Sequence, residues 1–159
     1  MRLRPYEPED ADAVLALNQA NLDAVGWLDG ERLEWLVGMA DLSLVADDGG
    51  ALAGFTIVFA PGTAYDSANY AWFGQRYDDF GYLDRVVVAP AYRRSGVGTL
   101  IYDTAEDHVR PRGRMALEVY AEPPNEPSLA FHHRRGYVEA DRFRQANGQV
   151  CAMLVKQVG

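Results

Sequence analysis

Val86-Val87-Val88-Ala89-Pro90-Ala91-Tyr92-Arg93-Arg94-Ser95-Gly96-Val97-Gly98-Thr99-Leu100-Ile101-Tyr102 is the stretch on which the reading of this chain turns. Three β-branched valines in a row suit a buried strand, and Pro90, with no N–H to give a ladder, ends it. A short loop with two arginines and two glycines follows. Val97, Leu100, Ile101, Ala105, His108 and Val109 then recur at three-to-four spacing, which predicts one face of a helix closed by Pro111 and Gly113. The loop therefore delivers backbone N–H groups to a helix start, where unpaired donors and the macrodipole favour an anion. Gly96 and Gly98 let a ligand approach the backbone closely, because no Cβ stands in the way. The expectation is a strand, a phosphate-holding turn and a helix.

Two better-known phosphate loops do not fit. No Gly-Lys-Ser/Thr stands where a P-loop needs it. A dinucleotide fingerprint would want a third glycine where Ile101 stands, and glycines directly behind the strand. An ordinary two-glycine turn is the plain alternative, and the strand and arginines weigh against it.

Arg93-x-x-Gly96-x-Gly98 behind a Val-x-Pro strand end resembles the pyrophosphate loop of the GNAT superfamily of acyl-CoA-dependent N-acetyltransferases. A second segment carries the same resemblance. Asn125-Glu126-Pro127-Ser128-Leu129-Ala130-Phe131-His132-His133-Arg134-Arg135-Gly136-Tyr137 is similar to the family's Asn-x-x-Ala/Ser-x-x-aromatic-Tyr-x-x-x-Gly-Phe pattern. One helix and one strand separate the two motifs, as in the family. Together they anchor roughly residues 83–140.

The composition bounds the class. A chain of 159 residues suits one domain, here read as a single GNAT-type domain over residues 1–159. Hydrophobic content of 48% and charged content of 24% describe an ordinary globular protein. No apolar run approaches the ~18 residues of a spanning helix. Met1-Arg2-Leu3-Arg4-Pro5 has no apolar stretch behind it to make a secretion signal, and Cys151 stands alone, so a reducing cytoplasm is expected and a membrane is not. Cys151 lies in the apolar run Val150-Cys151-Ala152-Met153-Leu154-Val155 and reads as a packed strand residue rather than a nucleophile.

A net charge of −8 argues against nucleic acid as a partner. Residues 1–84 hold 15 acidic and 4 basic side chains, whereas residues 85–159 hold 8 acidic and 11 basic. A phosphorylated cofactor is drawn to the second half and a cationic acceptor to the first. A plain solvated acidic surface accounts for many of the same charges.

Leu3 opens a short strand. Ala13, Val14, Leu17, Ala20 and Asn21 mark a first helix, and Leu33, Leu36, Val37 and Ala40 mark a second behind Asp29-Gly30-Glu31. Residues 42–46 and 52–60 read as strands joined at Asp47-Asp48-Gly49-Gly50. Residues 61–79 read as a long loop with five aromatic residues. Tyr65, Tyr70, Trp72, Phe73 and Tyr77, mixed with Asp66, Asp78 and Asp79, suit a wall for an amine acceptor; a packed aromatic cluster or a homodimer contact are the other readings. Residues 80–88, 115–121, 137–143 and 149–156 read as the remaining strands. The order β-α-α-β-β-β-α-β-α-β-β is that of the family. It implies an α+β fold with a mixed, mostly antiparallel twisted sheet of about seven strands and about four helices. Two adjacent parallel strands splay apart, and the pantetheine arm lies between them.

The resemblance implies transfer of the acetyl group of acetyl-CoA to a primary amine, a small molecule or a peptide, by direct attack in a ternary complex. A non-catalytic acyl-CoA-binding or sensor domain is the alternative. Acetyl-CoA enters as co-substrate and no metal is expected. Its phosphates fall to Arg93, Arg94, Ser95, Gly96, Val97, Gly98 and Thr99, and its pantetheine to the open backbone of Val86, Val87 and Val88. Asn125, Ser128 and Phe131 face the same arm. For the base, Leu117-Glu118-Val119 resembles the glutamate-bearing strand of ribosomal-protein N-terminal acetyltransferases, and alternation sends Leu117 and Val119 to the core and Glu118 the other way. Asp84, in Leu83-Asp84-Arg85, is the second candidate base, with an ion pair to a neighbouring arginine as its structural reading. Where the family commonly has a tyrosine acid four residues before the glycine, this chain has His132. Either its imidazole N–H donates to the leaving sulfur or it packs beside Phe131.

Overall fold

The computed structural model describes every residue from Met1 to Gly159. Seven strands form one sheet: β1 (Arg2–Pro5), β2 (Leu42–Asp48), β3 (Ala51–Phe59), β4 (Gly81–Val88), β5 (Arg114–Glu122), β6 (Val138–Arg144) and β7 (Val150–Gln157). Their spatial order is β1-β2-β3-β4-β5-β7-β6, and every neighbouring pair is antiparallel except β4 and β5. Five helices pack on it: α1 (Ala11–Gln19), α2 (Gly30–Met39), α3 (Ala68–Gly74), α4 (Val97–Val109) and α5 (Glu126–Arg134). No helix is long and apolar enough to cross a membrane.

The parallel pair carries the architecture. β4 and β5 are in register only at Gly81↔Met115 and Tyr82↔Ala116, after which they part. The parting has a local cause in β4. Arg85 faces Ile57 and Leu83 faces Val58 on β3, so Asp84 has no partner opposite it and the strand bulges there. An extra residue bends its strand away from the regular ladder. At the closed end of the wedge the packing is tight. A Cβ added to Gly81 would stand 2.4 Å from a methyl of Val109, so only glycine lets α4 sit so close to the start of β4.

α4 keeps the expected length but is turned from the expected face. Val97, Ile101, Tyr102, Ala105, Glu106 and Val109 are buried, while Leu100 and His108 point outward. Glu106 reaches the interior because Arg135, Lys156 and Tyr137 all hydrogen-bond its carboxylate, at 2.7–3.2 Å. His108 instead meets Asp41 at 3.0 Å on the surface.

Residues 61–79 are not a plain loop. Ser67 caps α3 by accepting the Tyr70 amide at 3.2 Å, and the helix runs through Tyr70, Trp72 and Phe73. Those three rings are buried in the main core cluster with Phe55, Phe59, Phe80 and Tyr82. The packing alternative thus describes them. Tyr77 is half-buried, with the Arg114 guanidinium over its ring at 4.0 Å. The fold therefore has five helices rather than about four. Cys151 is buried on β7, opposite Tyr120, and burial pushes its thiol up to about 12.

Candidate functional site

The wedge between β4 and β5 opens into a cleft of about 500 Å³. Its floor is residues 83–86 on one strand and 117–120 on the other. The connection between α1 and α2 (residues 22–28) forms one wall, Tyr65, Ser67 and Asn69 a second, and Asn125, Ser128 and His132 of the α5 end a third.

Glu118 stands on this floor. As alternation requires, Leu117 and Val119 are buried and Glu118 faces the cleft. The Tyr82 hydroxyl donates to its carboxylate at 2.7 Å and the Asn69 amide at 3.0 Å. Asn69 also exchanges hydrogen bonds with Gln145, both at 3.0 Å, which ties α3 to the β6–β7 turn above the carboxylate. Burial raises the Glu118 carboxyl to about 7, outweighing the donors from Tyr82 and Asn69 that favour the anion. A carboxylate with that value is half ionised near neutral pH, the range in which a general base works best.

Asp84 is differently placed. It accepts the Tyr65 hydroxyl at 2.6 Å and pairs with Arg85 Nε at 2.7 Å, with both charged side chains under a tenth exposed. Arg85 reaches on to Asn18 Oδ1 and to the Gly26 carbonyl, each at 3.0 Å. Asn18 is fully buried and donates to the same Gly26 carbonyl at 2.9 Å. The bulge thus sends Asp84 and Arg85 into a network that fastens the α1–α2 wall to β4. Asp84 lines the cleft with its carboxyl group engaged by Tyr65 and Arg85.

His132 is buried at the α5 side, and its two ring nitrogens are both engaged. Nδ1 lies 2.6 Å from the Ser128 carbonyl oxygen and Nε2 lies 2.6 Å from the Tyr102 hydroxyl. Burial lowers its pKa, which keeps the ring neutral. Phe131 is half-buried, with its ring edge-on to Tyr102 at 5.1 Å.

The residues expected to hold the cofactor fall in two groups. Val86, Asn125 and Ser128 line the cleft; Asn125 also caps α5 by accepting the Ser128 amide at 3.3 Å. Val87 is buried in the core, and Val88 lies under Gly98, whose added Cβ would meet it at 3.9 Å. Arg93, Arg94, Ser95 and Gly96 form the turn before α4, and Val97, Gly98 and Thr99 begin the helix, all outside the cleft proper. Gly96 has φ +87°, a conformation that favours glycine, and a Cβ there would meet only open space. The Gly96 carbonyl already receives the Leu100 amide, whereas the amides of Val97, Gly98 and Thr99 find no acceptor within the protein. Three aligned donors at a helix start fit a phosphate. Ser95 Oγ is turned back to the Tyr92 carbonyl, and Arg93 is tied to Asn21 Oδ1 at 2.9 Å.

Tyr70, Trp72, Phe73 and Tyr77 do not line the cleft; their neighbours Tyr65, Ser67 and Asn69 do. Sequence reading singled out neither Tyr82, Asn69 nor Tyr102 as chemical partners. Tyr82 sits two residues before Asp84 in the candidate base's own strand, a spacing that places them on one side of a regular strand. Nothing in the sequence announces Asn69 or Tyr102.

The model of the acetyltransferase (GNAT) family matches residues 6–137. Among solved structures, Ard1 from Thermoplasma volcanium is similar with a TM-score of 0.80 at 16% identity, over 99% of this chain and 97% of that one. A ribosomal-protein-alanine N-acetyltransferase from Brucella melitensis reaches 0.74 at 20% identity, over 99% of both chains. YncA from Salmonella typhimurium, solved with acetyl-CoA, reaches 0.74 at 19% identity, over 100% of this chain and 94% of its own. At such identities the likeness is one of fold. No curated protein sequence matches this one.

Proposed function

The chain belongs to the GNAT acetyltransferase family, and from that premise we propose that it transfers the acetyl group of acetyl-CoA to a primary amine by direct attack, with Glu118 as the base. The observation that carries the reading is the Glu118 carboxyl, raised to about 7 at the floor of the wedge where β4 and β5 part. A non-catalytic binding or sensor domain on the same scaffold would bind acetyl-CoA at the same helix start and release no thiol.

Acyl transfer needs the thioester held, the amine neutral and the leaving sulfur stabilised. The amides of Val97, Gly98 and Thr99 and the side chains of Arg93 and Arg94 would hold the phosphates. The backbone of β4 on the side released from β5, with Asn125 and Ser128 across the wedge, would hold the pantetheine arm. Bound acetyl-CoA supplies an activated acyl carbon. The amine enters between the α1–α2 wall and Asn69, in the more acidic half of the molecule, and Glu118 takes its proton directly or through a water. A relative that acetylates a ribosomal-protein alanine makes a peptide N-terminus one class of acceptor to try, beside small amines. The protein is expected to work in the cytoplasm, either as a monomer or as a homodimer.

The direct experiment is thiol release from acetyl-CoA with a panel of small amines and peptide N-termini. Wild type is expected to release thiol with at least one amine. Replacing Gly96 and Gly98 by valine should abolish acetyl-CoA binding in calorimetry while the protein stays folded. A folded double variant with undiminished affinity would remove the phosphates from this turn.

A further inference from the structure

Tyr102 and His132 form a hydrogen-bonded pair that lines the cleft apart from Glu118. The acceptor at His132 Nδ1 is a backbone carbonyl, that of Ser128, and a carbonyl only accepts. Nδ1 therefore carries the ring's proton and Nε2 is bare. The Tyr102 hydroxyl, 2.6 Å away, donates to Nε2. Burial raises the Tyr102 pKa as it lowers that of His132, so both partners are neutral at rest.

The pair is held from several sides. α4 presents Tyr102 and α5 presents His132, both nearly fully buried and both lining the cleft. Arg135, paired with Asp103 at 2.8 Å and Glu106 at 2.9 Å, stands over the Tyr102 ring at 5.3 Å. Tyr137 stands edge-on to the imidazole at 5.4 Å. With its proton committed to Nε2, the Tyr102 oxygen keeps its lone pairs for a donor in the cleft. His132 has no N–H left for a sulfur, so any proton it handles passes through Tyr102.

We propose that Tyr102 is a catalytic residue that passes the amine's surplus proton to the departing sulfur, with His132 as its relay partner. This rests on the acyl-transfer reading above. Glu118 first takes one proton from the ammonium form of the acceptor. When the nitrogen bonds to the acetyl carbon it carries one proton in excess. That proton goes to Tyr102 Oη while the hydroxyl's own proton moves to His132 Nε2. The carbon–sulfur bond breaks with its electron pair on sulfur. Sulfur takes a proton from Tyr102, and Nε2 returns its proton to the phenol oxygen. The amide and a neutral thiol leave, and both residues end as they began.

Tyr102→Phe keeps the ring and its packing and removes the hydroxyl. Its effect is read in turnover and, without turnover, in the ionisation of bound coenzyme A, followed by iodoacetamide alkylation across pH. When the sulfur is anionic the hydroxyl turns from Nε2 to donate to it, which lowers the thiol's pKa, so the variant should raise it by about one unit with coenzyme A affinity retained. Turnover should fall about 10²-fold with the amine KM little changed. His132→Gln keeps an acceptor for the hydroxyl but no basic nitrogen; it should lose turnover at least about tenfold and keep the wild-type thiol ionisation. It decides the relay even if Tyr102→Phe fails to fold, and full activity in His132→Gln overturns it. Unchanged ionisation and turnover in folded Tyr102→Phe overturn the proposal and leave acyl transfer standing. A moved thiol ionisation in a protein that acetylates no amine keeps Tyr102 at the sulfur and overturns both the proton transfer and the acyl-transfer reading.

Discussion

A carboxyl that accepts a proton near neutral pH has to be disfavoured as an anion, and in Glu118 that penalty falls on the fold. Its value of about 7 lies above the ordinary 4.5, so the folded state favours the protonated form. The stability this contributes is fully present below about pH 4.5 and is lost as pH rises through about 7. Glu118→Gln stays neutral throughout. Its Tm should match wild type near pH 4 and exceed it at pH 8 by a few degrees, roughly 2–4 °C for each kcal/mol. Its kcat should fall ~10²–10⁴-fold with acetyl-CoA affinity unchanged, and the acid limb of the pH–rate profile near pH 7 should vanish. Asp84→Asn supplies the contrast. It leaves the Arg85 guanidinium buried without its anion, a loss of about 3 kcal/mol, yet the acid limb should persist, displaced to lower pH because the Asp84 charge helps to hold the Glu118 carboxyl up. Loss of the limb in Asp84→Asn with an unmoved one in Glu118→Gln would exchange the two roles.

At the scale of elements, α3 separates what aromatic density means from what it suggests. Five aromatics in residues 61–79 are legible as a cluster, but composition does not tell a wall from a core. Trp72 and Phe73 are consecutive, a spacing that neither a one-faced helix nor a bare loop makes evident, and both are buried because the short α3 packs its rings into the main core cluster. The only local signal was Ser67 as a cap. Trp72→Ala should therefore cost about 3–5 kcal/mol in chemical denaturation. Where the variant remains folded, the KM values for amine and acetyl-CoA should stay in their wild-type ratio; a selective rise for the amine would return Trp72 to the acceptor wall. The strand–turn–helix around Gly96 was legible because each step has a local cause: β-branching, a proline, glycine and periodicity. α4's face was misjudged at Leu100 and His108 because Tyr102 and Glu106 are amphipathic, and their burial depends on His132, Arg135 and Lys156, some 30–50 residues away. The splay between β4 and β5 came from resemblance. Its physical origin, the bulge at Asp84, has no signature in Leu83-Asp84-Arg85 beyond two charges in an apolar strand.

Across the whole molecule, the sheet is two pieces that meet at a narrow seam. β1 to β4 form one and β5, β7 and β6 the other, and only Gly81↔Met115 and Tyr82↔Ala116 pair between them. α4 helps to bridge the seam, since its buried side chains join Leu83 on one strand with Met115 and Leu117 on the other. A ligand that fills the wedge supplies the hydrogen bonds the parted strands do not give each other. Its binding should then be felt by both pieces and not only by the turn before α4. Acetyl-CoA at about a hundredfold its Kd stabilises a protein that binds it only when folded by about 2.7 kcal/mol. For a chain of this size that is a rise in Tm of roughly 5–10 °C. Amide exchange should slow in residues 85–88 of β4 and 117–120 of β5 together with residues 94–99, the first two segments being the open sides of the wedge. Coenzyme A should give the same pattern, whereas inorganic pyrophosphate should protect residues 94–99 alone. Protection confined to that turn with acetyl-CoA itself would mean that the pantetheine arm never enters the wedge, and would take the thioester away from Glu118 and Tyr102 alike.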